Sequence, residues 1–196
     1  MVGTGRTLIL PDVGFEARRL GRDLALMLSF SVLTAASARF AAPLPFTPVP
    51  ITGQTFGVLL TGALLGGWRG FGAMLIYLAE GLAGLPVFAA PAHPGLAPLL
   101  GPTGGYLIAF PLAALAVGLL AERGWDRTLA RALAAMAIGS LIIYALGAGW
   151  LALFLGPTAA IEKGILPFLR GDALKAALAA SLLPLGWRLT GQSGRR

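Results

Sequence analysis

The sequence predicts an all-α integral membrane protein of six transmembrane helices, and three observations carry that prediction. Charged residues make up only 12% of the 196-residue chain, about half the roughly 25% of a soluble domain. Apolar residues supply 57%, and mean hydropathy is +0.81. Six apolar runs, each crossing or nearly crossing a hydrocarbon layer of about 30 Å, alternate with connectors rich in Pro and Gly.

Residues 1–23 contain Pro11, Asp12, Glu16 and Asp23 and lack a long apolar core. They read as a cytoplasmic lead-in, with a surface helix around PDVGFEARRLGRD, rather than a cleaved signal peptide. A six-helix membrane domain follows over 24–190. Its runs fall at Leu24–Ala42, Gln54–Gly67, Phe71–Val87, Tyr106–Ala121, Ala130–Leu155 and Ala173–Leu189. The second is short for a span, and by length it could be re-entrant. Residues 191–196 form a basic cytoplasmic tail.

The absence of Cys rules out disulfides and thiolate metal sites, and a single His, His93, leaves little for zinc. The net charge of +7 points to basic loops on anionic lipid rather than to nucleic acid. With both termini inside, Arg6, Arg18, Arg19, Arg22, Arg69, Arg123, Arg127, Arg131, Arg188, Arg195 and Arg196 are cytoplasmic. Arg39, Lys163, Arg170 and Lys175 remain outside, an asymmetry that follows the positive-inside rule. Long uncharged connectors then lie on the outer face, and Asp172 and Lys175 begin the last helix at its outer end.

Three residues are about 300° of helix rotation, so Asp172 and Lys175 share one face. They read either as an interfacial pair, with Lys snorkelling to the headgroups, or as a polar anchor in a ligand cavity open to the outside. Thr52 and Gln54 enter the second run, and Thr103, Gly104, Gly105 and Tyr106 open the fourth. Adjacent glycines could bring backbone N–H groups to a ligand, or mark an ordinary helix entry. Phe88 lies in an uncharged outer connector. Tyr144 and Trp150 read as packing or interface residues, or as ligand contacts. Glu80, about 15 Å into its span counted from Gly70, is either a cavity residue or a protonated packing residue. Small residues spaced by four (Ala25/Ser29, Ser31/Ala35, Ala38/Ala42) would let the first helix approach another closely. No nucleotide motif and no catalytic constellation is present, so the chain reads as neither an enzyme nor an ATPase.

The run PVPITGQTFGVLLTGALLGGWRG, followed by GLAGLPVFA, GPTGGYLIAFPLAA, IYALGAGW and LPFLRGDALKAALAA, resembles the BioY family over Pro48–Leu183. These are the biotin-specific substrate-binding (S) components of energy-coupling-factor transporters. The resemblance implies a compact six-helix S-component fold and a biotin pocket near the outer surface of the plasma (inner) membrane. The family's GD-x-x-K motif falls on Gly171, Asp172 and Lys175, which would supply polar contacts to the vitamin. It also implies a membrane coupling subunit and two ATPase subunits as partners, with ATP bound by those subunits and no cofactor on this chain. An Ala-x-x-x-Ala coupling motif matches Ala38 and Ala42 literally, with Ser31 and Ala35 as companion positions on the first helix. The rivals are an S component for another vitamin, and a proton-coupled carrier or membrane enzyme using Glu80.

A cysteine-free chain allows the orientation to be mapped cleanly. Single cysteines placed within Ala90–Pro98 are expected to react with an impermeant thiol reagent from outside. Cysteines at Arg69 or Arg127 are expected to react only after permeabilisation. The reverse pattern overturns the orientation.

Overall fold

A computed structural model describes residues 16–89 and 95–189. Residues 1–15 of the lead-in, His93 and the basic tail lie outside the described residues. Eight helices and one small hairpin follow in order: α1 (Glu16–Ala38), β1 (Ala41–Ala42), β2 (Ile51–Thr52), α2 (Gln54–Leu65), α3 (Gly67–Leu82), α4 (Ala97–Leu100), α5 (Gly104–Glu122), α6 (Leu129–Leu155), α7 (Pro157–Gly164) and α8 (Leu169–Leu189). Six of these correspond to the six apolar runs, and α4 and α7 are short helices within connectors.

Two boundaries differ from the sequence reading. Helix α1 starts at Glu16, so residues 16–23 extend the first membrane helix instead of forming a separate surface helix. It also stops at Ala38, which places Ala42 in β1, paired antiparallel with Ile51 while Ala41 pairs with Thr52. The charged start of α1 is tied down by an ion pair between Asp23 and Arg69 on α3, at 3.1 Å.

Among the described residues, three helices, Leu20–Ala38 of α1, α5 and α6, are long and apolar enough to cross a membrane by themselves. At about 1.5 Å per residue, the 12-residue α2 is far shorter than a bilayer core. It can be short because it is an interior helix, with Val58, Leu59, Leu60, Thr61, Gly62 and Ala63 all buried. Helix α5 is the packing centre. It contacts α2, α3 and α6 and is mostly buried, whereas few residues of α1 are. The core between them is formed by Val58, Leu59, Met74, Tyr77, Ala113, Ala114, Val117 and Met136.

The reversal from α2 to α3 takes a single residue, Gly66, at φ 83°, a conformation that costs glycine little. The Glu122 carboxylate at the end of α5 accepts from Gly67 N–H at 2.8 Å, which caps the α3 N-terminus with a negative charge. Close approach of α2 to α5 depends on Gly62, where a Cβ would stand 2.9 Å from the Ala114 Cα. Gly62→Val is therefore expected to destabilise the ligand-free protein by about 1–3 kcal/mol through overpacking, lowering its thermal midpoint in detergent. An unchanged midpoint would contradict this packing.

Candidate functional site

A cavity of about 290 Å³ lies at the end of the bundle that holds the β1–β2 hairpin and the first turns of α2, α5 and α8. Its wall combines the hairpin loop (Pro48, Val49, Pro50), the connector after α3 (Phe88, Ala89), α4 (Ala97, Pro98) and apolar faces of α5 and α6 (Leu107, Phe110, Ile143). The opposite end of the bundle carries Arg69, Arg123 and Arg127, at the start of α3 and between α5 and α6.

Asp172 and Lys175 both line this cavity. Their side chains are only 10% and 19% exposed and pair at 2.8 Å, so the lysine does not snorkel outward. The Asp172 carboxylate accepts from three side chains: Thr55 Oγ1 at 3.0 Å, Tyr144 Oη at 2.5 Å and Lys175 Nζ. Lys175 also donates to the Thr52 carbonyl at 2.5 Å and to Thr55 Oγ1 at 3.5 Å. A carboxylate removed from water needs such partners, because unpaired charge in an apolar interior is costly. Its place in the first turn of α8 adds the favourable end of the helix dipole.

The structure gathers most of the sequence candidates here. Thr52, Gln54, Phe88, Thr103, Tyr106 and Tyr144 line the same cavity as Asp172 and Lys175. Thr103 donates to the Pro98 carbonyl at 3.1 Å and Tyr106 to the Gly164 carbonyl at 2.8 Å, which ties the walls together. Phe88 is buried edge-on to Tyr77, with ring centroids 5.5 Å apart.

Three glycines do otherwise. Gly104 and Gly105 form no ligand cradle, because a Cβ on Gly105 would run into Trp150 and the Leu146 carbonyl. Their smallness lets α5 start against α6, where Trp150 donates to the Gly101 carbonyl at 3.0 Å. Gly171 has open space where a side chain would stand and is not part of the lining. Sequence reasoning overlooked Thr55, in the first turn of α2, which donates to Asp172 and accepts from Lys175. It also overlooked the hairpin loop, whose run of prolines signalled a turn but not what the turn covers.

Glu80 sits in the last turn of α3, outside the cavity lining, and accepts a hydrogen bond from Ser31 Oγ. It therefore packs against α1 through this hydrogen bond and does not face the cavity. The same bond corrects the reading of α1. Ser31 and Ala38 are buried within the chain and Ala42 is outside the helix. Ala35 is half-buried, and the face of α1 turned away from the bundle carries Gly21, Leu24, Ala25, Leu28, Ser29 and Val32.

The chain matches the sequence profile of the BioY family over residues 13–192. A probable biotin transporter BioY of Pyrococcus horikoshii is 42% identical over 158 residues, covering 81% of this chain and 91% of that one. The biotin transporter BioY of Rhizobium etli is 39% identical over 171 residues, covering 82% and 90%. Among solved structures, the S-component for biotin from an ECF-type ABC transporter superposes with a TM-score of 0.77 at 27% identity, covering 92% of this chain and 97% of that one. With a family match that runs almost from end to end, this chain belongs to the BioY family.

Proposed function

We propose that the chain captures biotin in this cavity and serves as the biotin-specific S component of an energy-coupling-factor importer. The observation that carries the reading is a largely apolar cavity with one buried Asp172–Lys175 anchor, in a chain whose relatives are named biotin transporters. Biotin is complementary to such a site. Its thiophane ring suits the Phe88, Phe110 and Ile143 wall, its ureido N–H groups suit Asp172, and its carbonyl or carboxylate suits Lys175. An apolar pocket with few fixed polar groups is the general form of a small-molecule site.

The cavity end faces outward and the Arg69, Arg123 and Arg127 end faces the cytoplasm, as the positive-inside rule requires. Both termini are then cytoplasmic in the plasma membrane. Partner subunits, a membrane coupling protein and two ATPases, supply ATP binding and hydrolysis. The coupling protein docks on the outward face of α1 at Ala25 and Ser29, where small side chains allow close helix approach.

Two measurements test these statements. Lys175→Ala and Asp172→Asn are each expected to weaken biotin binding in detergent roughly tenfold to hundredfold. That corresponds to about 1.5–3 kcal/mol for hydrogen bonds to charged groups. Affinity unchanged in both variants, or retention of another vitamin in place of biotin, overturns the biotin site. Ala25→Trp and Ser29→Trp are expected to abolish co-purification with the coupling subunit while leaving biotin binding intact. Intact complexes in both variants would move the docking face elsewhere.

A further inference from the structure

Gln54 opens α2, lines the cavity and is only 5% exposed. Its amide Nε2 donates to Tyr77 Oη at 2.5 Å, and Tyr77 Oη donates to the Val87 carbonyl at 3.0 Å. A carbonyl oxygen carries no proton, so the single hydroxyl proton of Tyr77 is committed to Val87. The Tyr77 oxygen can then only accept from Gln54, which sets the amide's orientation by chemistry. Its NH₂ end faces Tyr77, and Oε1 is the end left over. Turning the amide round would draw the Tyr77 proton away from Val87 and leave that carbonyl without its donor, a costly exchange inside a protein.

Every other polar side chain of the lining has at least one partner within the protein, and Thr52 Oγ1 accepts from the Gln54 N–H at 3.3 Å. Thr55 and Tyr144 donate to Asp172, Thr103 to Pro98 and Tyr106 to Gly164. Lys175 donates to Thr52, Thr55 and Asp172. Gln54 Oε1 has no donor among the described residues, and it is not one of the side-chain atoms sealed from all access. Tyr77 itself does not line the cavity. It is fully buried, edge-on to Phe88 and 6.3 Å from Phe110, so its hydroxyl has little freedom to move.

We infer that Gln54 presents its amide oxygen as a fixed acceptor for a ligand N–H, and that Tyr77 is a positioning residue that holds the amide this way round. The inference rests on the biotin reading and deepens it. A cyclic urea carries two N–H donors; one meets Gln54 and the other is left for Asp172. The device selects ring N–H groups and disfavours ligands that offer only acceptors at that position.

The test titrates the full chain in detergent with biotin and with its two isomers methylated on one or the other ureido nitrogen. The unmodified protein is expected to bind both isomers more weakly than biotin, each by about tenfold or more, since each loses one hydrogen bond to a fixed partner. In Gln54→Ala, the penalty for one isomer should collapse to about threefold or less, while the penalty for the other persists. Tyr77→Phe keeps the ring packing but frees the amide, and should shrink the same isomer's penalty while lowering biotin affinity about fivefold. Gln54→Met, of similar length, replaces the alanine variant if that variant does not fold. If the Gln54 variants keep both penalties of the unmodified protein, Gln54 meets no ligand N–H and the inference falls while the biotin reading stands. An unchanged ratio in Tyr77→Phe removes the positioning role. Failure of the unmodified protein to bind biotin overturns the biotin reading itself, and this inference with it.

Discussion

An aspartate and a lysine held among apolar helices must have their charged atoms hydrogen-bonded, and the cavity end of this bundle is arranged around that requirement. Asp172 and Lys175 come from α8, but their partners come from elsewhere: Thr52 from β2, Thr55 from α2 and Tyr144 from α6. Satisfying one ion pair therefore joins three helices and the hairpin. In a membrane, helices gain little from hiding apolar surface from lipid, so close packing and interhelical hydrogen bonds carry more of the association. The charge that would recognise a ligand also holds together the walls that enclose it.

Close packing supplies the rest. Helix α5 lies at the centre because small residues let its neighbours approach its backbone: Gly62 opposite Ala114, Gly118 beside Gly66, and Gly105 against the Leu146 carbonyl. These contacts involve main-chain atoms, which cannot move aside as a flexible side chain can. The short α2 follows from the same arrangement. Being enclosed by α1, α3, α5 and α8, it need not extend across the bilayer, and the space beyond its N-terminus is where the cavity forms under the hairpin loop.

That loop is anchored rather than loose. Thr47 Oγ1 donates to the Lys163 carbonyl of α7 at 2.8 Å, and Val49 is buried against the core. On the other side, the connector after α3 is held by Tyr77 on Val87 and by a hydrogen bond from Arg39 to the Pro86 carbonyl. Polar side chains thus fix the covering segments through backbone carbonyls, and apolar side chains such as Phe88 and Val49 are left to face the cavity.

Composition and run lengths were enough to establish a helical membrane protein. Six runs separated by Pro and Gly placed the six main helices to within a few residues at most ends, because hydrophobicity and helix breaking are local properties. The largest difference was at the start of α1, where the helix read around PDVGFEARRLGRD is continuous from Glu16 with the first membrane helix, and its Asp23 pairs with Arg69 of α3. The Asp172–Lys175 face was legible from spacing alone, since three residues of helix fix a common side. What only the tertiary structure decided was which groups meet across helices. It joined Thr55 and Tyr144 to Asp172, assigned Gly104 and Gly105 to packing, gave Glu80 to Ser31 and turned Ser31 and Ala38 inward. Each of these depends on contacts between residues distant in the chain, and no local pattern records which helix faces which.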